Sequence, residues 1–549
     1  MDKRLLYAMV LSVGIMVLWT NLFPSKPTPA PLGSAAMSAV STGAGTGVVG
    51  SNTPTAEAPK PALDFPAERT LEERVSMETD DATYVFSTWG ASLREIHLKD
   101  KQFLLKKGNV SEAKQMVTTT GENLAPLRMT FAKAGFAFSE SLPWTVLRPM
   151  PSQVIFRAET SDVVLEKRYT LQPLRHRLRM DISIQNKTEK SQEHALVLQL
   201  AAKQDPEKKS GGFFDYASAN LAEAVCHVND KAQRAVVEAL VKEPKNLVGG
   251  IRWFAAGDKY FTIAVVPYAE NPGKDRGCIA NAVDGDKAIV ALSFSTRLLQ
   301  PAQKTEYAFE VYAGPKYISD LDAVRPDGQD ARLAEAVDVT FAALSRPMLG
   351  LLKQFFRLTG NWGVAIILLT IFVRCITFYP THRTLVSAKK MQGLSGKIAA
   401  LREKYGNDKQ RLGTETMNLY KAHGVSPFGG CLPSLIQMPI WIALFSTLNY
   451  SVELYHSAFF GYITDLSAKD PYYLAPLLMG AVMFFQMRMS PAGTDPQQQK
   501  MMAIMMPIMF TGFSLFLPAG LSIYTLTSYL IGILQQLFVN WRFKQKVAI

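Results

Sequence analysis

The amino-acid sequence predicts a polytopic α-helical membrane protein with six transmembrane helices and a large antiparallel β-sandwich on the outer side of the membrane. Three observations lead there. Six apolar stretches read as spans, and Asn361 to Tyr379 has close to the roughly twenty residues at about 1.5 Å rise each that cross a bilayer. Between the first and second of them, hydrophobic residues alternate with period two, the mark of half-buried strands. The Lys and Arg excess behind the formal net charge of +12 gathers beside the apolar stretches, as the positive-inside rule requires.

That placement also excludes a class. No basic patch carries interleaved aromatics, so no specific nucleic-acid partner is expected despite a pI near 9.3. Four cysteines, Cys226, Cys278, Cys375 and Cys431, are too few and too scattered for a disulfide scaffold or a zinc site. Cys226 and Cys278 could pair if their domain is exported, and spacing does not decide it. His97, His176, His194 and His227 show no metal-ligand spacing.

Asp2-Lys3-Arg4 precedes an apolar run from Leu5 to Phe23 that stops at Pro24. The run is long for a signal peptide and no clear small-residue cleavage site follows it. Residues 1–24 are therefore expected to be an uncleaved anchor with its N-terminus inside. Residues 25–62, rich in Pro, Ala, Gly, Ser and Thr, cannot bury a core and are expected to be a flexible linker. The β-sandwich is assigned to 63–340. Leu178 to Ile184 alternates strictly, and Val164 to Leu171 and Leu196 to Leu200 are expected as neighbouring strands. A sugar site on such a sandwich is a weaker expectation than a scaffold or docking role, because fold class does not give function.

Over 341–359 the large apolar residues of Pro347 to Leu358 fall on one helical side with Lys353 and Arg357 available for headgroups, so an interfacial amphipathic helix is expected. Residues 360–549 then hold five spans. The first, Asn361 to Tyr379, contains Arg374, roughly 18 Å from Trp362 at helical rise. An arginine there costs about 3 kcal/mol on insertion scales and is functional by default, although snorkelling to headgroups is the plainer alternative. Thr370, one turn earlier, argues for a polar face. The segment 383–424 has a strong basic bias and two helical patterns, Leu385 to Tyr405 and Lys409 to His423, around Gly406-Asn407-Asp408. It is expected to be a cytoplasmic helical hairpin. Cys431 to Tyr450, Tyr472 to Met489, Ile504 to Leu517 and Leu521 to Val539 complete the set, the last two turning on Pro518-Ala519-Gly520. Glu453, Asp465 and Asp470 make the outer loop acidic, and Trp541 to Lys546 is basic and inside.

The five spans from Asn361 onward contain no Asp or Glu away from their ends, which speaks against ion-coupled transport. No G-x-x-x-x-G-K-[ST] loop, H-E-x-x-H or Ser/His/Asp arrangement stands out. No catalytic residue, metal or cofactor is expected. What remains is polar side chains at membrane depth, Thr370, Arg374, Ser434, Gln437 and Tyr524 foremost. Beside them stand adaptable methionines such as Met479, Met505 and Met509, a residue type favoured in gap filling and on promiscuous apolar surfaces.

Several spaced motifs in one order carry a resemblance. They are Gly360-Asn361-Trp362-Gly363, Thr370 with Arg374, and Pro427-Phe428-Gly429-Gly430-Cys431 running into Gln437-Met438-Pro439. Asp470-Pro471-Tyr472-Tyr473, Asp495-Pro496 with Gln499-Lys500, and Pro518-Ala519-Gly520-Leu521 follow. In these the chain resembles the YidC/Oxa/Alb family of membrane protein insertases, in its Gram-negative form, over essentially its whole length. The resemblance implies a five-helix insertase core in the bacterial inner membrane, with both termini cytoplasmic. Its hydrophilic groove opens to cytoplasm and lipid and is closed to the periplasm. It also implies that Arg374 is the essential arginine, with Thr370 and Gln437 beside it. Nascent membrane proteins would slide along the third and fifth of the six spans, past Cys431, Trp441 and Phe513. The hairpin would recruit substrate, the periplasmic domain would be galactose-mutarotase-like without that activity, and the Sec translocon and the ribosome would be partners. The rival expectations are a polytopic solute transporter or channel with an extracytoplasmic binding domain, and a membrane-anchored carbohydrate enzyme.

Overall fold

Alternation at Leu178, Met180, Ile182 and Ile184 places four apolar side chains on one face, and in the computed structural model the strand Arg177–Asn186 buries all four completely. The structure describes residues 71–547 apart from 108–109, 206–219, 269–274, 338, 340, 407, 425–431 and 490–495. The expected anchor over 1–24, the linker over 25–62 and Cys431 lie outside the described residues.

Arg177–Asn186 pairs antiparallel with Val163–Leu171 on one side and with Lys304–Pro315 on the other. These strands sit inside a nine-stranded antiparallel sheet that runs from Lys231–Val236 at one edge to Thr145–Met150 at the other. Leu196 to Leu200 does not join them. It belongs to Gln192–Lys203, which pairs with Lys287–Phe294 in a facing six-stranded sheet. The connection over 187–191 thus crosses between sheets. A strand buried on both faces gives no alternation from which its sheet could be read, and Ala195 to Leu198 are all buried. The inner faces share one core that includes Tyr169, Phe254, Phe309, Leu198 and Leu292, and Phe86 of a third, five-stranded sheet joins it. Cys226 on one sheet and Cys278 on the other are joined by a disulfide across that core. Such a bond belongs to an oxidising compartment.

Strand structure ends at Pro315. The following segment, as far as Val337, folds back over the outer face of the large sheet, where Leu321, Val324 and Leu333 cover Trp253, Ala264 and Tyr312. It leads into the helical part, whose helices are α1 (Ala342–Thr359), α2 (Trp362–Gly393), α3 (Ser395–Tyr405), α4 (Lys409–Ala422), α5 (Leu432–Tyr450), α6 (Leu474–Met489), α7 (Pro496–Ser514) and α8 (Ala519–Val547). Gly360 ends α1 at φ 67°, a conformation that favours glycine. Asn361 caps α2 by accepting from Gly363 N and Val364 N at 2.9 and 3.2 Å. A Cβ on Gly363 would sit 1.9 Å from Phe459 Cδ2, so only glycine admits that ring.

α2 passes its expected end at Tyr379 and continues through Pro380 to Gly393. Strong helix formers at Leu385, Ala388, Lys389, Lys390, Met391 and Gln392 extend it, and the hairpin is left to α3 and α4, which meet through Leu394, Ile398 and Tyr420. α2 and the Ala519–Arg542 part of α8 are long and apolar enough to cross a membrane, whereas α6 and the Ala503–Ser514 part of α7 are shorter apolar helices.

The loop over 451–473 gathers one end of the bundle. Phe459 O accepts from Asn361 Nδ2 at 3.3 Å, Asp470 Oδ2 accepts from Ala475 N at 2.8 Å, and Ala468 O and Leu466 O accept from Ala519 N and Gly520 N. The starts of α2, α6 and α8 and the ends of α5 and α7 therefore lie together, so three helices point one way and two the other. The same loop is gripped by the β-domain. Val452 and Tyr455 enter the sandwich core, and Gln102 Nε2 reaches the carbonyls of Val452, Glu453 and Tyr455 at 2.9 to 3.0 Å. Lys353 of α1 pairs with the buried Glu453 at 2.7 Å, so this acid braces the fold rather than facing solvent. Buried Lys259 donates to Asn449 Oδ1 at 2.6 Å, and burial pushes its ammonium down to about 7.

Candidate functional site

α2 and α8 lie side by side because both present small or polar side chains where they touch. Arg374 Nε and Nη2 donate to Ser528 Oγ at 2.9 and 2.5 Å. Seven residues further along both helices, Gln535 Nε2 donates to Thr381 Oγ1 at 2.9 Å and to Phe378 O at 3.2 Å. Each side-chain pair is 154 residues apart in sequence, so the two helices run parallel in one register, two turns from one polar contact to the next.

The guanidinium is half-buried. Of its five N–H donors, those on Nη1 and one on Nη2 have no partner among the described residues, and no carboxylate pairs with it there. Its neighbours are neutral: Ser528 and the phenols of Tyr524 and Tyr529. Gln437 of α5 donates from Nε2 to Tyr524 OH at 3.3 Å, which ties a third helix to the same region. Among the described residues the arrangement offers a cation with uncommitted donors, able to bind carboxylates and carbonyls. Among the described residues no group of His, Cys, Asp and Glu converges to hold a metal.

The remaining expected residues separate. Thr370 is fully buried and its hydroxyl donates back to Ile366 O at 2.7 Å, so it serves its own helix and not Arg374. Trp441 is half-buried on α5 and stacks on Phe445 at 5.5 Å. Phe513 packs partly buried against the bundle core. Met479 is buried inside the bundle, while Met505 and Met509 are 46% and 59% exposed on α7. Ser434 lies on α5 with its side chain outside the description, and Cys431 is outside it altogether. Ser528 and Tyr529 were not anticipated. The available signal was spacing: Ser528 follows Tyr524 by one turn, on the same side of an apolar helix.

A second polar place lies on the outer face of the nine-stranded sheet, an open cavity of about 350 Å³ lined by Glu166, Arg168, Arg179, Asp181, Lys304 and Glu306 among others. Its charges pair with one another, Arg168–Glu166 at 2.7 Å, Arg179–Asp181 at 3.0 Å and Lys304–Glu306 at 2.7 Å. No aromatic ring lines it. Paired in this way, the charges make a solvated polar face.

Comparison with known proteins follows the same division of the chain. A family model described as the YidC periplasmic domain matches residues 74–351, and one described as the 60Kd inner membrane protein matches 354–546. A membrane protein insertase YidC from Citrifermentans bemidjiense is 33% identical over 563 residues, covering 98% of this chain and 99% of that one. Its counterpart from Geotalea daltonii is 32% identical over 556 residues, with 98% and 99% covered. A crystal structure described as an active YidC insertase with its first transmembrane domain resolved aligns at 18% identity. It covers 85% of this chain and 92% of that one, with a TM-score of 0.34.

Proposed function

The chain belongs to the YidC family of membrane protein insertases, a family of insertases and not of enzymes, and we propose that its groove works around Arg374. In this reading the protein is an insertase and chaperone that takes nascent membrane proteins from the cytoplasm into the bacterial inner membrane. Six spans carry it, with both termini cytoplasmic and the β-domain periplasmic. The strictly alternating direction of α2, α5, α6, α7 and α8 supports that topology. So does the disulfide Cys226–Cys278 in the β-domain.

The observation that carries the mechanism is a guanidinium on an apolar helix, held by one neutral hydroxyl and matched by no carboxylate among the described residues. A charge so placed is tolerated only where water or protein solvates it. A wet groove ending partway across the bilayer shortens the dry distance that a substrate's polar terminus must cross. Arg374 attracts acidic segments into the groove, with Ser528, Tyr524 and Gln437 forming its polar surround. The substrate's own apolar span then partitions into lipid, which supplies the driving force. The exposed Met505 and Met509 on α7, and Trp441 on α5, suit apolar clients of many shapes. The interfacial placement of α1, recruitment by α3 and α4, docking of the β-domain to the Sec translocon and contact with the ribosome complete the proposal. They rest on the family resemblance.

Site-specific photocrosslinking tests it. A photoreactive residue at Trp441, Met505 or Met509 is expected to capture a ribosome-tethered nascent chain during insertion, and one at lipid-facing Ile376 is not. Equal capture at all four positions would refute the groove.

A further inference from the structure

Three of the parallel helices carry the same small device in their second halves. Arg383 lies over the ring of Tyr379 on α2, Arg488 over Phe484 on α6 and Arg542 over Phe538 on α8, at 4.5, 4.7 and 5.9 Å from the ring centroids. In each case the arginine follows the aromatic residue by four, one helical turn. The contacts that align the helices also align the devices. Thr381 is level with Gln535, and Met489 O accepts from Gln536 Nε2 at 2.6 Å. Arg383, Arg488 and Arg542 consequently fall within a slab about 10 Å deep along the bundle axis, comparable to a headgroup layer.

All three arginines are exposed. The ion pairs of the helical part, among the described residues, belong to Arg346, Lys353, Arg411 and His456 instead. A guanidinium resting on a ring spends its flat face there and keeps its in-plane N–H fork for a planar or tetrahedral oxyanion. Ordinary inside-facing charge needs no such preparation, and a lysine at any nearby position would serve it. We propose that these three aromatic–arginine pairs form a collar that binds the phosphates of anionic phospholipids at the end of the bundle opposite the 451–473 loop. The occupant is a lipid because the aromatic members are themselves partly open to the surroundings, Tyr379 at 61% and Phe538 at 42%, on helices whose outer faces are apolar. Those faces are where acyl chains would lie. The collar rests on reading α2, α6 and α8 as membrane-spanning.

The test uses the full chain reconstituted in phosphatidylcholine vesicles with a trace of spin-labelled phosphatidylglycerol or spin-labelled phosphatidylcholine. The motionally restricted fraction of each label gives the lipid preference. Wild type is expected to prefer phosphatidylglycerol. Each of Arg383→Gln, Arg488→Gln and Arg542→Gln should lower the preference about fivefold, and the triple variant should abolish it. A triple Arg→Lys variant keeps the charge but loses the stacked fork, and should retain only part of the preference. Gln variants that keep the wild-type preference overturn the collar, as does a Lys variant equal to wild type, which would leave only unspecific surface charge. If the triple variants do not reconstitute, the single variants decide. Protein that resists an alkaline carbonate wash yet shows no preference refutes the collar alone. Protein that washes off refutes the spanning reading beneath it.

Discussion

Replacing Arg374 by alanine separates attraction from mere structure, and the geometry sets the size of the effect. The guanidinium has uncommitted donors on Nη1 and Nη2 and no carboxylate partner among the described residues. An acidic substrate residue approaching to about 4 Å would gain about 1 kcal/mol if the groove behaves as bulk water, and about 4 kcal/mol at an effective dielectric of about 20. At about 1.4 kcal/mol per tenfold in rate these limits correspond to about fivefold and about a thousandfold. The assay is insertion into proteoliposomes, scored by protease protection, of three otherwise identical substrates with acidic, neutral or basic translocated tails. Arg374→Ala should slow the acidic substrate by a factor between those limits, the neutral one less, and the basic one least. Any loss of stability from the vacated contact with Ser528 lowers all three together, so the ratio among substrates is the readout. Arg374→Lys keeps the charge without the two-pronged contact to Ser528 and should preserve the ranking at a reduced rate. A uniform loss across the three tails in Arg374→Ala would refute the electrostatic argument.

Three further outcomes follow from the packing. Cys226→Ser with Cys278→Ser opens a loop spanning a sequence separation of 52 and should cost about 4 kcal/mol of β-domain stability by loop entropy. Denaturant unfolding of the full chain with and without reductant measures it, and unchanged curves would contradict the bond's role. Lys353→Met leaves Glu453 nearly buried without its cation. It should cost about 2 kcal/mol, less than a fully buried pair because Lys353 is 30% exposed, and adding Glu453→Gln should recover part of the loss. A double variant no better than the single one would count against the pair. Lys167 is fully buried against Leu127 O, and burial pushes its ammonium from 10.5 down to about 7. The unfolded chain therefore holds more protons between about pH 7 and 10.5, so stability should rise with pH through that window, by about 1.4 kcal/mol per pH unit per lysine. Lys259 shifts the same way, so Lys167→Met should remove about half of the slope measured between pH 8 and 9.5. An undiminished slope would show that Lys167 is not the group responsible.

How much of this was legible beforehand differs from residue to residue. The helices over 432–450, 474–489 and 519–547 lie within a few residues of their expected starts, because an apolar run bounded by Pro, Gly or charge is visible in one window of sequence. Leu178 to Ile184 was legible for the same reason. α2 runs past its expected end at Tyr379, because the helix formers after Pro380 carry it on to Gly393. Thr370 was assigned to the polar face from its spacing to Arg374, and its hydroxyl turned back to Ile366 O, a choice that the backbone offers every buried threonine. Ser528 was overlooked among unremarked polar residues, since nothing near it in sequence announces a cation 154 positions away.

From its residues alone the chain determined what each segment is: apolar stretches, a strand-rich domain, a basic hairpin, and one arginine inside an apolar stretch. These are properties of neighbouring residues, and periodicity and composition express them without reference to the rest of the chain. Tertiary structure decided which faces meet. It set Arg374 on Ser528, joined Cys226 to Cys278, moved Gln192–Lys203 to the facing sheet, drew Val452 and Tyr455 into the sandwich core and laid three arginines over aromatic rings. The reason is that pairing energy arises between residues distant along the chain, where each candidate face has many apolar partners of similar worth. Only the packed arrangement that satisfies all of them together selects one.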